Sequence, residues 1–284
     1  NEHRLGANEA PPAIISVFIG KQLEDVLQQY TCNGEATSCL AGADFDSRVS
    51  AISNFQMDAT DRNRTSPFAF TGNKFEFRMC GSSDSVATAN IVLNTITAEA
   101  FSQVCDELEK STDIDKTVSK IIIELNNNHQ RIIFGGNGYG KEWEEEAARR
   151  GLPNLKGMVD AIPCLTSEKA IHLFEKFGVY SETELCSRAK IQYETYVKQI
   201  NIEALTMIDI AGKQLIPAII DYSKELATSA KSIENLGMEA TVQRCLLEQV
   251  NEKLKIAYHA YQELILLMNE VGRIDDEEEQ AKFY

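Results

Sequence analysis

Asp61-Arg-Asn-Arg-Thr-Ser-Pro-Phe-Ala-Phe-Thr-Gly-Asn-Lys-Phe-Glu-Phe-Arg-Met79 is the stretch on which the reading of this chain turns. Its last six residues alternate strictly: Lys74, Glu76 and Arg78 on one face, Phe75, Phe77 and Met79 on the other. Period-two alternation with aromatic partners predicts a half-buried β-strand over 74–79. A strand near Phe68–Phe70 and a Thr71-Gly72-Asn73 turn complete a predicted hairpin. Side chains two apart on a strand point the same way, about 6.5–7 Å from each other. One face therefore carries a carboxylate flanked by two cations, which suits a metal ion and anionic oxygens. Taken alone, the strand is better explained as an ordinary solvated edge; its neighbours in sequence shift that balance.

Upstream, residues 1–10 are polar and predict a loop, and Pro11-Pro12 can open a helix. Ile14, Ile15, Phe18, Ile19, Leu23, Val26 and Leu27 then give one apolar face, predicting helix through about Tyr30. Residues 31–57 show no period and read as an irregular insertion. Downstream of the hairpin, helices are predicted at 85–109 and 113–128, the second with Asp113 as N-cap. From about residue 156 helix formers dominate. Two domains are expected, 1–155 and 156–284, in an α+β chain whose second half is a long-helix hairpin or bundle.

The stripe in that second half runs 189, 193, 197, 200, 204, 208, 211, 215, 219, 222 and 226, and again 242, 246, 250, 254, 257, 261, 264, 268 and 271. Steps of three and four are what an antiparallel helical hairpin or coiled coil requires. At about 1.5 Å per residue the first helix could run roughly 70 Å. Pro217 should kink it by removing one backbone bond and crowding the carbonyl four residues back. Asn235 and Gly237 suit the connection.

Hydrophobic content of 43% and charged content of 25% are those of a soluble globular protein. A net charge of −15 argues against nucleic acid or an anionic membrane as the main partner, though not against a phosphate ligand held by local cations. No apolar run reaches the length needed to span a bilayer. Seven scattered cysteines, none in a Cys-x-x-Cys pattern, fit buried thiols in a reducing cytoplasm. The Asn63-Arg-Thr65 sequon lacks a secretory context. The absence of an initiating methionine and the unterminated helical tail lead us to expect an internal fragment of a longer protein.

Gly135 to Lys141 fits Gly-x-x-x-x-Gly-Lys, but Glu142 stands where a phosphate-binding loop needs a hydroxyl for magnesium. The carboxylate would also repel phosphates, so this reads as a glycine-rich connection. Histidines 3, 129, 172 and 259 are dispersed and form no catalytic set. The acidic run Asp275–Glu279 reads as a solvated helix face.

Arg4-Leu-Gly-Ala-Asn-Glu-Ala-Pro11 resembles the flap segment of glutamine synthetases. Asn63-Arg64-Thr65 resembles that family's Asn-Arg-Ser step, and Lys74–Arg78 its Arg-Ile-Glu-Val-Arg strand. Asn8-Glu-Ala-Pro-Pro-Ala-Ile-Ile-Ser16, Ser66-Pro-Phe-Ala-Phe-Thr-Gly-Asn-Lys74, Asn137-Gly-Tyr with Glu142-Trp143, and Ile200-Asn-Ile-Glu-Ala-Leu-Thr-Met207 resemble the type III branch. The resemblance covers essentially the whole chain, with the most specific motifs in the first 80 residues. It implies the C-terminal part of the catalytic β-sheet domain followed by that branch's helical extension.

The activity so implied is transfer of the ATP γ-phosphoryl group to glutamate, followed by displacement of phosphate by ammonia. The resemblance makes Glu76 a ligand for Mg2+ or Mn2+ and gives Arg64 the transferring phosphoryl group. Arg4 and Arg78 would grip glutamate carboxylate or phosphate oxygens, Lys74 the nucleotide. Glu9, on the flap, would attract and help deprotonate ammonium and shield the acyl phosphate. Arginine suits such sites because its planar fork stays charged and binds two oxygens. Homo-oligomeric rings are implied as well, with the helical hairpin a candidate contact.

Two departures stand out: the flap has one residue fewer between Arg4 and Glu9 than the commoner form, and the family's second arginine falls on Ala69. A γ-glutamyl–amine ligase keeps the fold and changes the nucleophile. A non-catalytic helical scaffold or regulatory subunit is the alternative from another class.

Overall fold

A computed structural model describes residues 14–40, 44–45, 55–56, 66–72, 74–77, 85–138 and 140–284. The chain forms two compact units: one runs to Ala161 and includes Ser167–Ser181, and the other comprises Ile162–Thr166 and Glu182–Tyr284.

In the first unit, the run Ile14-Ile-Ser-Val-Phe-Ile19 is not helical. Val17–Phe18 form strand β1, and helix α1 begins only at Lys21 and ends at Asn33. The physical reason lies in β-branched residues that fit a pleated surface and in partners on both sides. β1 pairs in parallel with β4 (Phe68–Phe70), Val17 opposite Phe68, and bridges Ile133 on its other side. Gly20, at φ 81°, turns the chain from strand to helix in a conformation that a side chain would strain. The expected helix from Pro12 is thereby corrected: its apolar residues divide between a strand and the face of α1.

Two more two-residue strands, β2 (Asp44–Phe45) and β3 (Phe55–Gln56), pair antiparallel within the stretch read as irregular. Pairs that short leave no period to read. Residues 37–40 lie along α1, where the Gln29 side-chain oxygen accepts from the Thr37 and Ser38 backbone and the Gln22 amide donates to Leu40 O.

The hairpin forms as expected. β4 pairs antiparallel with β5 (Phe75–Phe77), and the Thr71 N–H donates to Lys74 O at 2.8 Å to close the turn. The end of the expected strand, Arg78 and Met79, lies outside the described residues. Helix α2 (Val86–Glu109) is capped by Ser85, and α3 (Ile114–His129) by Asp113, whose carboxylate accepts from the Lys116 N–H as expected. After a 3-10 turn at Gln130–Ile132 come α4 (Lys141–Arg149), α5 (Met158–Ala161) and α6 (Glu168–Lys176). Lys176 reaches back to Glu99 of α2 at 2.6 Å.

In the second unit, α7 (Glu182–Ile210) passes through a π turn at Ala211–Leu215 into α8 (Ile216–Asn235). The Ile216 N–H reaches Ala211 O, five residues back, immediately before Pro217. The wider turn accommodates a proline that cannot donate to the carbonyl of Lys213. Around it the packed stripe is interrupted: Leu215 and Tyr222, expected inside, are 56% and 47% exposed, whereas Leu226 is buried as expected and Ala230 continues the stripe beyond it.

Gly237 at φ 78° then ends α8, with its N–H on Glu234 O and the Met238 N–H on Ile233 O, the two bonds of a Schellman close. The chain returns as α9 (Thr241–Val271), packed against α8. Val250, Leu254, Tyr261, Leu264, Met268 and Val271 keep their expected inward phase, while Val242, Leu246 and Ala257 are exposed. Finally α10 (Glu277–Phe283), capped by Asp276, folds onto α7, where Tyr284 Oη bonds Asn201. Glu277, Glu278 and Glu279 occupy its exposed first turn, as a solvated acidic face should.

Candidate functional site

Strands β4 and β5 present two unlike faces because their side chains alternate. On one, Phe68 stacks on Phe75 at 5.1 Å and meets Phe77 edge-on at 6.1 Å, with Phe70 tilted against Phe75 at 5.2 Å. The other carries Lys74 and Glu76. Ala69, fully buried, sits directly across from Glu76. Lys74 Nζ lies 3.4 Å from Glu76 Oε1, with the two side chains 65% and 36% exposed. A pair this open contributes about 0–1 kcal/mol and yields readily to a stronger ligand.

Of the six site residues read from the sequence, these two are brought together. Arg4, Glu9, Arg64 and Arg78 lie outside the described residues. The position where the family's second arginine would stand, Ala69, faces the same side as Glu76, so this departure bears directly on the charged face.

Glu76 is a hard oxygen donor suited to a hard divalent ion, which takes six or more oxygens. Among the described residues no three acidic, histidine or cysteine side chains gather to hold a metal. Glu76 therefore fits as one ligand of a set, not as a site in itself. Among the described residues no cysteine is in a disulfide, but five of the six are exposed, not buried as expected, and no helix is long and apolar enough to cross a membrane.

The glycine-rich segment proves to be packing. Phe134 stacks on Trp143 at 4.4 Å, and Trp143, Ile14 and Ala147 form a buried cluster with Leu152 beside them. A Cβ on Gly136 would fall 2.6 Å from Phe134 Cζ, so the glycine makes room for the ring. Glu142 and Glu144 occupy the first turn of α4, where carboxylates suit the helix end and would repel a phosphate.

Sequence reasoning missed the residue that ties this segment down. Arg150 lies over the Phe134 and Trp143 rings, at 5.9 and 5.6 Å, and donates to Ile133 O at 2.8 Å and Arg131 O at 3.2 Å. Its Nε bonds Glu146 at 2.6 Å; this bond, with Arg149 adding, holds the Glu146 carboxyl below its ordinary 4.5. The Glu146–Arg150 spacing of four within a helical run was the available signal. A polar groove of about 850 Å³ lies beside it, lined by Glu24, Gln28, Asn126, Gln130 and Arg131 among others; Lys74 and Glu76 do not line it.

Among known proteins, those similar to this chain include glutamine synthetases. Residues 117–234 match the family described as Glutamine synthetase C-terminal domain. The whole chain is 39% identical to a Type-3 glutamine synthetase of Dictyostelium discoideum, over 292 aligned residues that make up 40% of that protein. Over 80% of its length it is 42% identical to a glutamine synthetase of Butyrivibrio fibrisolvens and 37% identical to one of Bacteroides fragilis (strain YCH46), covering 32% of each. The chain thus spans well under half the length of these relatives. Along its whole length the chain is similar to the type III branch of the glutamine synthetase family.

Proposed function

We propose that the protein of which this chain is part is a glutamate–ammonia ligase, forming glutamine through γ-glutamyl phosphate at the expense of ATP. The observation that carries the reading is the match along the entire chain to a Type-3 glutamine synthetase. Phosphoryl transfer needs cations around the charge that builds on oxygen. Glu76 would hold Mg2+ or Mn2+, which when bound neutralises that charge. Arg64 would bind the transferring phosphoryl group, Arg4 and Arg78 the carboxylate and phosphate oxygens, and Lys74 the nucleotide. Glu9 would collect ammonium, take its proton and keep water from the acyl phosphate.

Such a site is completed by carboxylates carried elsewhere in the longer protein, so these 284 residues alone should be inactive. Assembly into rings is part of the proposal. Exposed Ile191, Ile202 and Leu205 on α7 and Val242 and Ile256 on α9 support the helical unit as a subunit contact. Thiols outside disulfides suit a cytoplasmic setting.

The full-length protein should release ADP only when glutamate and ammonium are both present. Turnover unchanged by Glu9→Ala and Arg64→Ala would refute the assigned roles.

A further inference from the structure

We infer that α9 pairs with the α9 of a second copy, antiparallel, about a two-fold axis at Ile256; this rests on the subunit contact proposed above for the helical unit. Within one chain α9 is poorly covered: of its 31 residues Val271 alone is buried. Its inward stripe, through Val250, Leu254 and Leu264, serves the hairpin with α8. One position before that stripe, about 100° round the helix, runs a second one. It steps by three and four through 246, 249, 253, 256, 260, 263 and 267, and every one of these positions is exposed. Leu246, Ile256 and Leu267 are 40%, 65% and 48% exposed. This is the spacing of a coiled-coil seam, and helices owe most of their stability to a packed face.

The residues of the stripe indicate what covers it. Outward from Ile256 the stripe matches itself. Leu246 lies ten positions before and Leu267 eleven after, Gln249 and Glu263 seven either way, Lys253 three before and Ala260 four after. Two copies laid antiparallel therefore set isoleucine against isoleucine on the axis and leucine against leucine roughly 15 Å to either side, at about 1.5 Å per residue. Between them an amide meets a carboxylate. Each Lys253 faces a small Ala260, one turn from Glu263 of the partner subunit, so its ammonium can reach that carboxylate. Every such contact occurs twice, as a self-complementary interface requires. Lys253 and Glu263 are exposed and in no ion pair among the described residues. From 246 to 267 the stripe carries one charge of each sign, so two copies meet there without net repulsion despite the chain's −15. A strongly acidic or basic partner would find no excess charge to match.

The test uses the full-length protein. Ile256→Cys places thiols on the axis, so mild oxidation should join more than about half of the subunits as covalent dimers on a non-reducing gel, well above wild type. Gln262→Cys, exposed on another face, should not exceed wild type. Charge reversal gives a second readout, on side chains whose exposure spares the fold. Lys253→Glu should raise the concentration for half-assembly about tenfold, measured by sedimentation. Adding Glu263→Lys to it should return that value to within about twofold of wild type.

An assembled wild type whose Ile256→Cys variant forms no cross-link overturns the inference, as does a double reversal no better than Lys253→Glu. If the introduced thiol is also shielded from a maleimide, another part of the longer protein covers the stripe. A wild type that stays monomeric instead overturns the subunit-contact reading, and the inference with it.

Discussion

The glycine-rich segment before α4 gives a sharp test of packing against phosphate binding. Gly136→Ala places a methyl 2.6 Å from Phe134 Cζ and 2.9 Å from Cε1, so the ring must retreat by about 0.8 Å to regain an ordinary 3.4 Å contact. Trp143 is stacked on that ring at 4.4 Å and Arg150 sits over it, so retreat disturbs both. Overpacking of this kind costs about 1–3 kcal/mol, and loosening the aromatic pair adds about 0.5–1.5 kcal/mol.

Gly135→Ala serves as the reference, because its nearest neighbour is the end of the Glu24 side chain at 3.4 Å. It should cost less than about 0.5 kcal/mol. Trp143 is the only tryptophan among the 284 residues, so its fluorescence reports this core directly. With a urea slope of about 2 kcal/mol per M, Gly136→Ala should lower the midpoint by about 1 M. The loss should shrink in a Phe134→Leu background. An unshifted midpoint, or equal shifts for both glycines, would refute the packing argument. Weakened ATP binding in the full-length protein without any stability loss would restore the phosphate-loop reading.

Gly237→Ala should cost about 1 kcal/mol from backbone strain alone, since φ is 78° and nothing lies within 4 Å of the added Cβ; helix melting followed by circular dichroism measures it. The Lys176 hydrogen bond holds the Glu99 carboxyl below its ordinary 4.5, so the link between α2 and α6 is present above that pH and is lost as pH falls through the lower folded value. Lys176→Met should flatten this acid limb of stability, visible in urea midpoints between about pH 3 and 6. Glu76→Gln should raise the Mg2+ concentration for half-maximal turnover of the full-length protein about tenfold or more, because an amide is a poorer partner for a hard cation. Given ammonium and methylamine in equal amounts, the same protein should form glutamine in excess; a predominance of methylated product would favour the amine ligase.

The hairpin and the long helices were legible because their signals are local: alternation at 74–77, caps at Asp113, a stop at Gly237. β1 was not, because Ile14–Ile19 and the face of α1 together mimic one helical period. The partners that decide for strand, Phe68 and Ile133, are 51 and 116 positions away from Val17. The stripe through Leu215 and Tyr222 failed for another reason: Pro217 predicted a disturbance, but not that it would be absorbed as an added residue in one turn. Of the candidate site, Lys74 and Glu76 were legible from alternation. Arg150 was overlooked because its task, bonding carbonyls beneath two rings, has no motif.

The π turn at Ala211–Leu215 makes the long helix tolerant of a change in length at one place. At this turn Gly212 gives way to Tyr261 of the returning helix, whose hydroxyl would lie 2.5 Å from a Cβ. A chain one residue shorter between 213 and 215, with alanine in place of Pro217, could run as uninterrupted α-helix with both halves still meeting the same partners. The turn thus behaves as a single-residue insertion that the fold has accommodated without resetting the seam on either side.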